Sequence, residues 1–89
     1  MKIQHSKQFL KDVSRLNENQ MLQLRQRLRT FEERPSHPTL NNHRLKGKLK
    51  GYCSINISGD LRALYRLENE GEKLVAKFVR LGTHSQLYA

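Results

Sequence analysis

Apolar residues recur at two different periods in this chain, near 3.6 residues before Pro35 and near 2 after Tyr52, so a helical half precedes a sheet half. Phe9, Leu10, Val13 and Leu16 fall on one face at helical spacing, while Lys7, Lys11 and Arg15 fall elsewhere. Ser6 is placed to cap the helix they predict. Asn17 follows at once, and Gln20 three residues later completes a capping-box pattern for a second helix. That helix carries Met21, Leu22, Leu24, Leu28 and Phe31, with Arg25, Arg27 and Arg29 at its polar positions. So short a connection makes the two helices a hairpin. Ahead of them, residues 1 to 5 predict a short first strand whose one strong apolar anchor is Ile3.

Pro35 and Pro38 end the helical region, because neither can continue a helix. A polar loop leads to a segment in which Tyr52, Ser54 and Asn56 alternate with Cys53, Ile55 and Ile57, a strand with one polar and one apolar face. Ser58-Gly59-Asp60 predicts a turn, and Leu61, Ala63, Tyr65 and Leu67 alternate with Arg62, Leu64 and Arg66 on the return. After a second turn at Asn69-Glu70-Gly71, the run from Lys73 to Leu81 is apolar on both faces, as a strand inside a sheet requires. Gly82 is expected to end that strand and to leave His84 near the sheet edge. Residues 44 to 50 read either as an edge strand or as an extended basic loop. Helices gathered before a mainly antiparallel sheet predict an α+β sandwich, with the helical hairpin on one face and the other face partly open for function.

Charge changes the picture. Eighty-nine residues predict one domain spanning 1–89, and 17 Lys and Arg against 8 Asp and Glu leave a net charge of +9. An excess of that size calls for a polyanionic partner, nucleic acid or a strongly acidic protein. A membrane surface ranks well behind these, because the basic helices carry core-type apolar stripes, and no run of residues is apolar enough to span a bilayer. Cys53 stands alone and no signal sequence opens the chain, which fits a reducing cytoplasm. His5, His37, His43 and His84 lack the close pair spacings of structural zinc sites, so neither metal nor cofactor is expected.

Between Arg44 and Arg66 lie six basic residues, Arg44, Lys46, Lys48, Lys50, Arg62 and Arg66, against the single acid Asp60. If the segment is extended, Lys46, Lys48 and Lys50 project to one side as a phosphate-tracking row; the alternative is an edge strand guarded by lysines, and the total charge favours nucleic acid. Arg62 and Arg66 share a strand face, and Arg80 lies near the exit of the next strand, where two guanidiniums could flank a phosphate. Salt bridging to Glu68, Glu70 or Glu72 is the simpler role for Arg66. Asp60 is explained as a turn former and His43 as a loop residue, yet either could assist an imidazole. His84 can accept and donate a proton near neutral pH. Tyr88 could pack the tail onto the sheet or stack on a base.

The pieces His43-Arg44-Leu45-Lys46-Gly47, Lys50-Gly51-Tyr52, Gly59-Asp60-Leu61-Arg62-Ala63-Leu64-Tyr65-Arg66 and Gly82-Thr83-His84-Ser85-Gln86-Leu87-Tyr88 occur in an order and spacing that resemble the RelE/ParE toxin superfamily, and most of all its YafQ-like branch. The resemblance runs the length of the chain. It implies a small RelE-like sandwich and a ribosome-dependent endoribonuclease that cleaves mRNA in the ribosomal A site. It also implies an acidic antitoxin partner and assembly with it on operator DNA. On that resemblance His84 matches the C-terminal catalytic histidine, Tyr88 the aromatic that follows it, His43 and Asp60 a second histidine and an aspartate of the site, and Arg62 an arginine near the scissile phosphate. Ser54 and Asn56 depart from it, standing where YafQ-like members place an acid and another histidine.

The combined expectation is a nuclease toxin in which His84 transfers protons, His43 and Asp60 assist, Arg62 and Arg80 stabilise the phosphorane, and Tyr88 completes the site. Arg44, Lys46, Lys48, Lys50, Asn56 and Arg66 are expected to hold RNA. Two rivals stand beside it, a ParE-like gyrase inhibitor without catalysis and an inactive antitoxin-binding relative.

Overall fold

A computed structural model describes residues 1–88. The elements run β1 (Lys2–His5), α1 (Lys7–Val13), α2 (Glu18–Glu33), a 3₁₀ turn (Pro38–Leu40), β2 (His43–Arg44), a second 3₁₀ turn (Gly47–Leu49), β3 (Cys53–Ser58), β4 (Leu61–Glu70), β5 (Lys73–Thr83) and α3 (His84–Tyr88). The five strands form one sheet in the order β1-β5-β4-β3-β2. Only the β1–β5 pair is parallel. The α+β class and the mainly antiparallel sheet are as expected, and among the described residues no helix is long and apolar enough to cross a membrane.

Local chemistry sets the helix ends. Ser6 Oγ accepts the Phe9 amide at 3.0 Å and donates to Val79 O at 3.0 Å, so one hydroxyl caps α1 and ties it to β5. Asn17 and Gln20 form the reciprocal capping box, Gln20 N–H to Asn17 Oδ1 at 2.8 Å and Asn17 N–H to Gln20 Oε1 at 3.0 Å. The apolar stripes are less regular than their spacing implies: Leu10 and Leu22 lie exposed, because each helix rests on the sheet along a narrow line through Phe9 or through Leu24 and Phe31.

The core lies between the helices and the sheet, where Ile55, Ile57, Ala63, Tyr65, Ala76, Phe78 and Leu81 meet Phe9, Leu24 and Phe31. Phe78 is its hub, with ring centroids 5.7 Å from Phe9, 5.3 Å from Phe31 and 5.2 Å from Tyr65. Tyr65 keeps a polar tip by donating to Asn42 Oδ1 at 2.8 Å, and burial pushes its phenol up to about 12.

Several details differ from the reading of the sequence. Gly82 does not end β5, which runs to Thr83; β5 lies between β1 and β4, so His84 opens a short helix beyond an interior strand and not at a sheet edge. The segment through Lys46, Lys48 and Lys50 is not extended, since β2 stops at Arg44 and a 3₁₀ turn takes Gly47–Leu49, so the three lysines form no one-sided row. Gly47 at φ +67° supplies the left-handed conformation that starts this turn. The polar face expected for β3 is not open to water at Ser54, which is fully buried.

Candidate active site on the second sheet face

Residues directly opposed in an antiparallel pair share a face. The register therefore lines up His43, Ser54, Leu64 and Arg80 in one row across β2, β3, β4 and β5, and Asn56, Arg62 and Gly82 in the next, on the face away from the main core. Arg80 reaches that face through a bulge. Leu64 pairs with Arg80 while Tyr65 pairs with Phe78, so Val79 is the extra residue, and Phe78 points into the core while Arg80 points away from it.

The chain then turns back as α3. Thr83 and Gln86 cap it reciprocally, Thr83 N–H to Gln86 Oε1 at 2.9 Å and Gln86 N–H to Thr83 Oγ1 at 3.3 Å. A methyl group at Gly82 would come within 2.8 Å of Gln86 Oε1 and 3.3 Å of Gln86 Cβ, so a larger residue here would displace the side chain that caps α3. One helical turn separates His84 from Tyr88, whose rings lie 4.4 Å apart at 40°. His84 is exposed and Tyr88 half-buried. Leu87 and Tyr88 share a cavity of about 200 Å³ with Lys46, Lys48 and Leu49, so α3 brings Tyr88 to the basic loop.

His43 Nδ1 lies 2.7 Å from the Asn41 carbonyl oxygen. A carbonyl only accepts, so Nδ1 carries the proton and the neutral ring leaves Nε2 as a lone-pair acceptor. Asp60 sits in the β3–β4 turn with its nearest cation, Arg62 Nε, at 4.0 Å; it bonds to no imidazole among the described residues. Arg66 is engaged by Glu68, and their hydrogen bond raises the guanidinium and lowers the carboxyl. Ser54 Oγ, Asn56 Oδ1 and Arg62 Nε are buried without a hydrogen-bond partner among the described residues. No group of three or more His, Cys, Asp or Glu among those residues is placed to hold a metal ion.

No motif in the sequence marks Asp12. It lies on α1, almost fully buried, and accepts the Leu81 amide at 2.9 Å and Arg80 Nε at 3.0 Å through one carboxylate oxygen. Burial pushes its carboxyl up, but the bonds from Leu81, Arg80 and Gln8 outweigh that and hold it below the usual range. An acid between Lys11 and Val13 on a short helix looks like surface charge in sequence, and only the path of β5 makes it a latch. Asp12→Ala should cost about 1–3 kcal/mol in urea unfolding by stranding the Leu81 amide. The folded carboxyl is the stronger acid, so its contribution is complete above the ordinary value of 3.8 and disappears as pH falls through the lower folded one. The acid limb of a melting-temperature profile should therefore be shallower in Asp12→Asn; a limb unchanged from wild type would show that the latch does not titrate with folding.

This combination of helices, sheet and terminal His-Tyr turn has relatives. A protein of Haemophilus influenzae that carries the YafQ toxin name is 30% identical, over 97% of this chain and 90% of its own. The crystal structure of YafQ from Escherichia coli BL21(DE3) superposes with a TM-score of 0.79 at 25% identity, covering 98% of this chain and 97% of that one. YafQ in the E. coli DinJ-YafQ toxin-antitoxin complex superposes with a TM-score of 0.77 at 26% identity, covering 98% and 96%. The model of the family described as the bacterial toxin of type II toxin-antitoxin system, YafQ, matches residues 1–89, and the chain belongs to that family.

Proposed function

We propose that this toxin is a ribosome-dependent endoribonuclease that cleaves mRNA in the ribosomal A site and so stops translation in the cytoplasm. The observation that carries the reading is the close His84-Tyr88 ring pair on α3, whose Tyr88 lies beside Lys46 and Lys48. Metal-free RNA cleavage needs three things: the 2′-hydroxyl gives up a proton, its oxygen attacks the adjacent phosphorus in line, and the departing 5′-oxygen is protonated. His84, exposed at the start of α3, is the main proton-transfer group. His43 assists through Nε2, because Nδ1 is committed to Asn41. Asp60 assists through charge, beside Arg62 and not through an imidazole.

Arg62 and Arg80 occupy diagonal positions on neighbouring strands and neutralise the phosphorane. Asp12 binds Arg80 through Nε and leaves the terminal nitrogens of the guanidinium for phosphate. Asn56 offers a hydrogen bond to RNA but cannot carry a proton, so the ribosome supplies much of the orientation. Tyr88 provides the aromatic surface beside His84, and Arg44, Lys46, Lys48, Lys50 and Arg66 contact ribosomal or messenger RNA. An antitoxin neutralises the toxin, and the E. coli complex of DinJ with YafQ supports such a partner; in this reading the antitoxin is acidic, to match the charge of +9, and assembles with the toxin on operator DNA. Expression without the antitoxin should therefore depress methionine incorporation before thymidine incorporation in a pulse-labelling experiment. An early fall in DNA synthesis with normal protein synthesis would replace this reading with gyrase inhibition.

A further inference from the structure

A cleft of about 370 Å³ is walled by the corner where α1 meets α2 and by the end of β5 with the start of α3. Asp12, Arg15, Gln20, Arg80, Thr83 and Gln86 supply its polar lining. The side-chain acceptors among them are already in use. Asp12 takes the Leu81 amide and Arg80 Nε through one carboxylate oxygen, and Gln8 Nε2, at 3.1 Å, through the other. Gln20 Oε1 is spent on the Asn17 amide and Gln86 Oε1 on the Thr83 amide, while Thr83 Oγ1 accepts the Gln86 amide. The two helix caps thus consume the oxygen of each glutamine and leave its NH₂ group free. The other free groups are donors as well. They are the terminal nitrogens of Arg80 and the guanidinium of Arg15, which pairs with no carboxylate among the described residues.

A site whose free side chains only donate, and which carries an unpaired guanidinium, selects an anion with several acceptor oxygens; phosphate is such a group. Arg80 links this cleft to the nuclease face, because it lines the cleft and also stands in the row of His43, Ser54 and Leu64. An RNA strand whose scissile phosphate meets Arg80 therefore has a neighbouring phosphate within reach of the cleft. We propose that the cleft seats the phosphodiester next to the one cleaved, held by Arg15 and by the amides of Gln20 and Gln86, while Arg80 stays with the scissile phosphate; the proposal rests on the nuclease reading above. The cleft volume admits a phosphate together with part of its nucleotide.

The test is codon-site cleavage on programmed ribosomes, using mRNA with one neutral methylphosphonate in place of the phosphodiester on the 5′ or the 3′ side of the cleaved linkage. On unmodified mRNA, Arg15→Ala should lower kcat/KM about tenfold, the loss of one charge-assisted contact. Its melting temperature should not change, because Arg15 is exposed. On one of the two modified messages the wild-type toxin should lose a similar factor, and Arg15→Ala should lose nothing further. Lys11→Ala removes the same charge from α1 outside the cleft and should cleave as the wild type does. Normal cleavage of unmodified mRNA by Arg15→Ala, or a loss that adds in full to that of both methylphosphonates, overturns the assignment. So does binding of inorganic phosphate that Arg15→Ala abolishes while cleavage stays normal, since the cleft would then serve free anions. Failure of the wild-type toxin to cleave unmodified mRNA at all overturns the nuclease reading instead.

Discussion

Replacing His84 with glutamine should lower codon-site cleavage on programmed ribosomes by about a hundredfold to ten-thousandfold, the contribution of one well-placed proton-transfer group. Glutamine keeps polarity and approximate size but cannot exchange protons. The melting curve should hardly move, within about 0.5 kcal/mol, because His84 is exposed and its one described ring contact is Tyr88. His43→Gln should cost less, since that imidazole is placed to assist and sits on a two-residue strand at the sheet margin. Near-normal cleavage by a folded His84→Gln protein would remove His84 from the chemistry and leave the rate to Arg62, Arg80 and the ribosome.

Phe78→Ala should have the largest effect on stability. The ring is fully buried and touches Phe9, Phe31 and Tyr65, so truncation deletes the centre of the aromatic cluster from both helices and from β4 at once. Buried Phe→Ala changes cost about 3–5 kcal/mol. Domains have only about 5–15 kcal/mol in total, and a small one lies toward the low end. The urea midpoint should fall steeply, with a measurable unfolded fraction in buffer, whereas Phe78→Leu should retain a cooperative transition. A Phe78→Ala protein within about 1 kcal/mol of wild type would mean that the cluster is not what joins α1 and α2 to the sheet.

These two residues mark opposite ends of what the sequence makes legible. The helices were readable because their caps are local: Ser6 reaches three residues to Phe9, and Asn17 three residues to Gln20. The same signal stands near the C-terminus, where Thr83 and Gln86 have capping-box spacing and cap α3. Gly82 reads as a strand breaker, yet β5 runs through it and the Gln86 side chain packs against it. The lysine row failed for a different reason. Alternating lysines project to one side only on extended backbone, and Gly47 starts a 3₁₀ turn among them.

The helical hairpin, the antiparallel strands, the positive surface and the His84-Tyr88 ending were legible along the chain, because each depends on residues a few positions apart or on composition alone. The face that each arginine occupies emerges from strand pairing in the folded sheet. β5 is apolar on both sides, so it carries no period from which a slip could be read, and the bulge at Val79 that sends Phe78 inward and Arg80 outward arises from pairing with β4. The Asp12 latch and the cleft of Arg15, Arg80 and Gln86 are decided in the same way. Their partners lie on elements distant along the chain, and nothing local marks a carboxylate that will meet Leu81 or an arginine such as Arg15 that will share a cleft with Gln86.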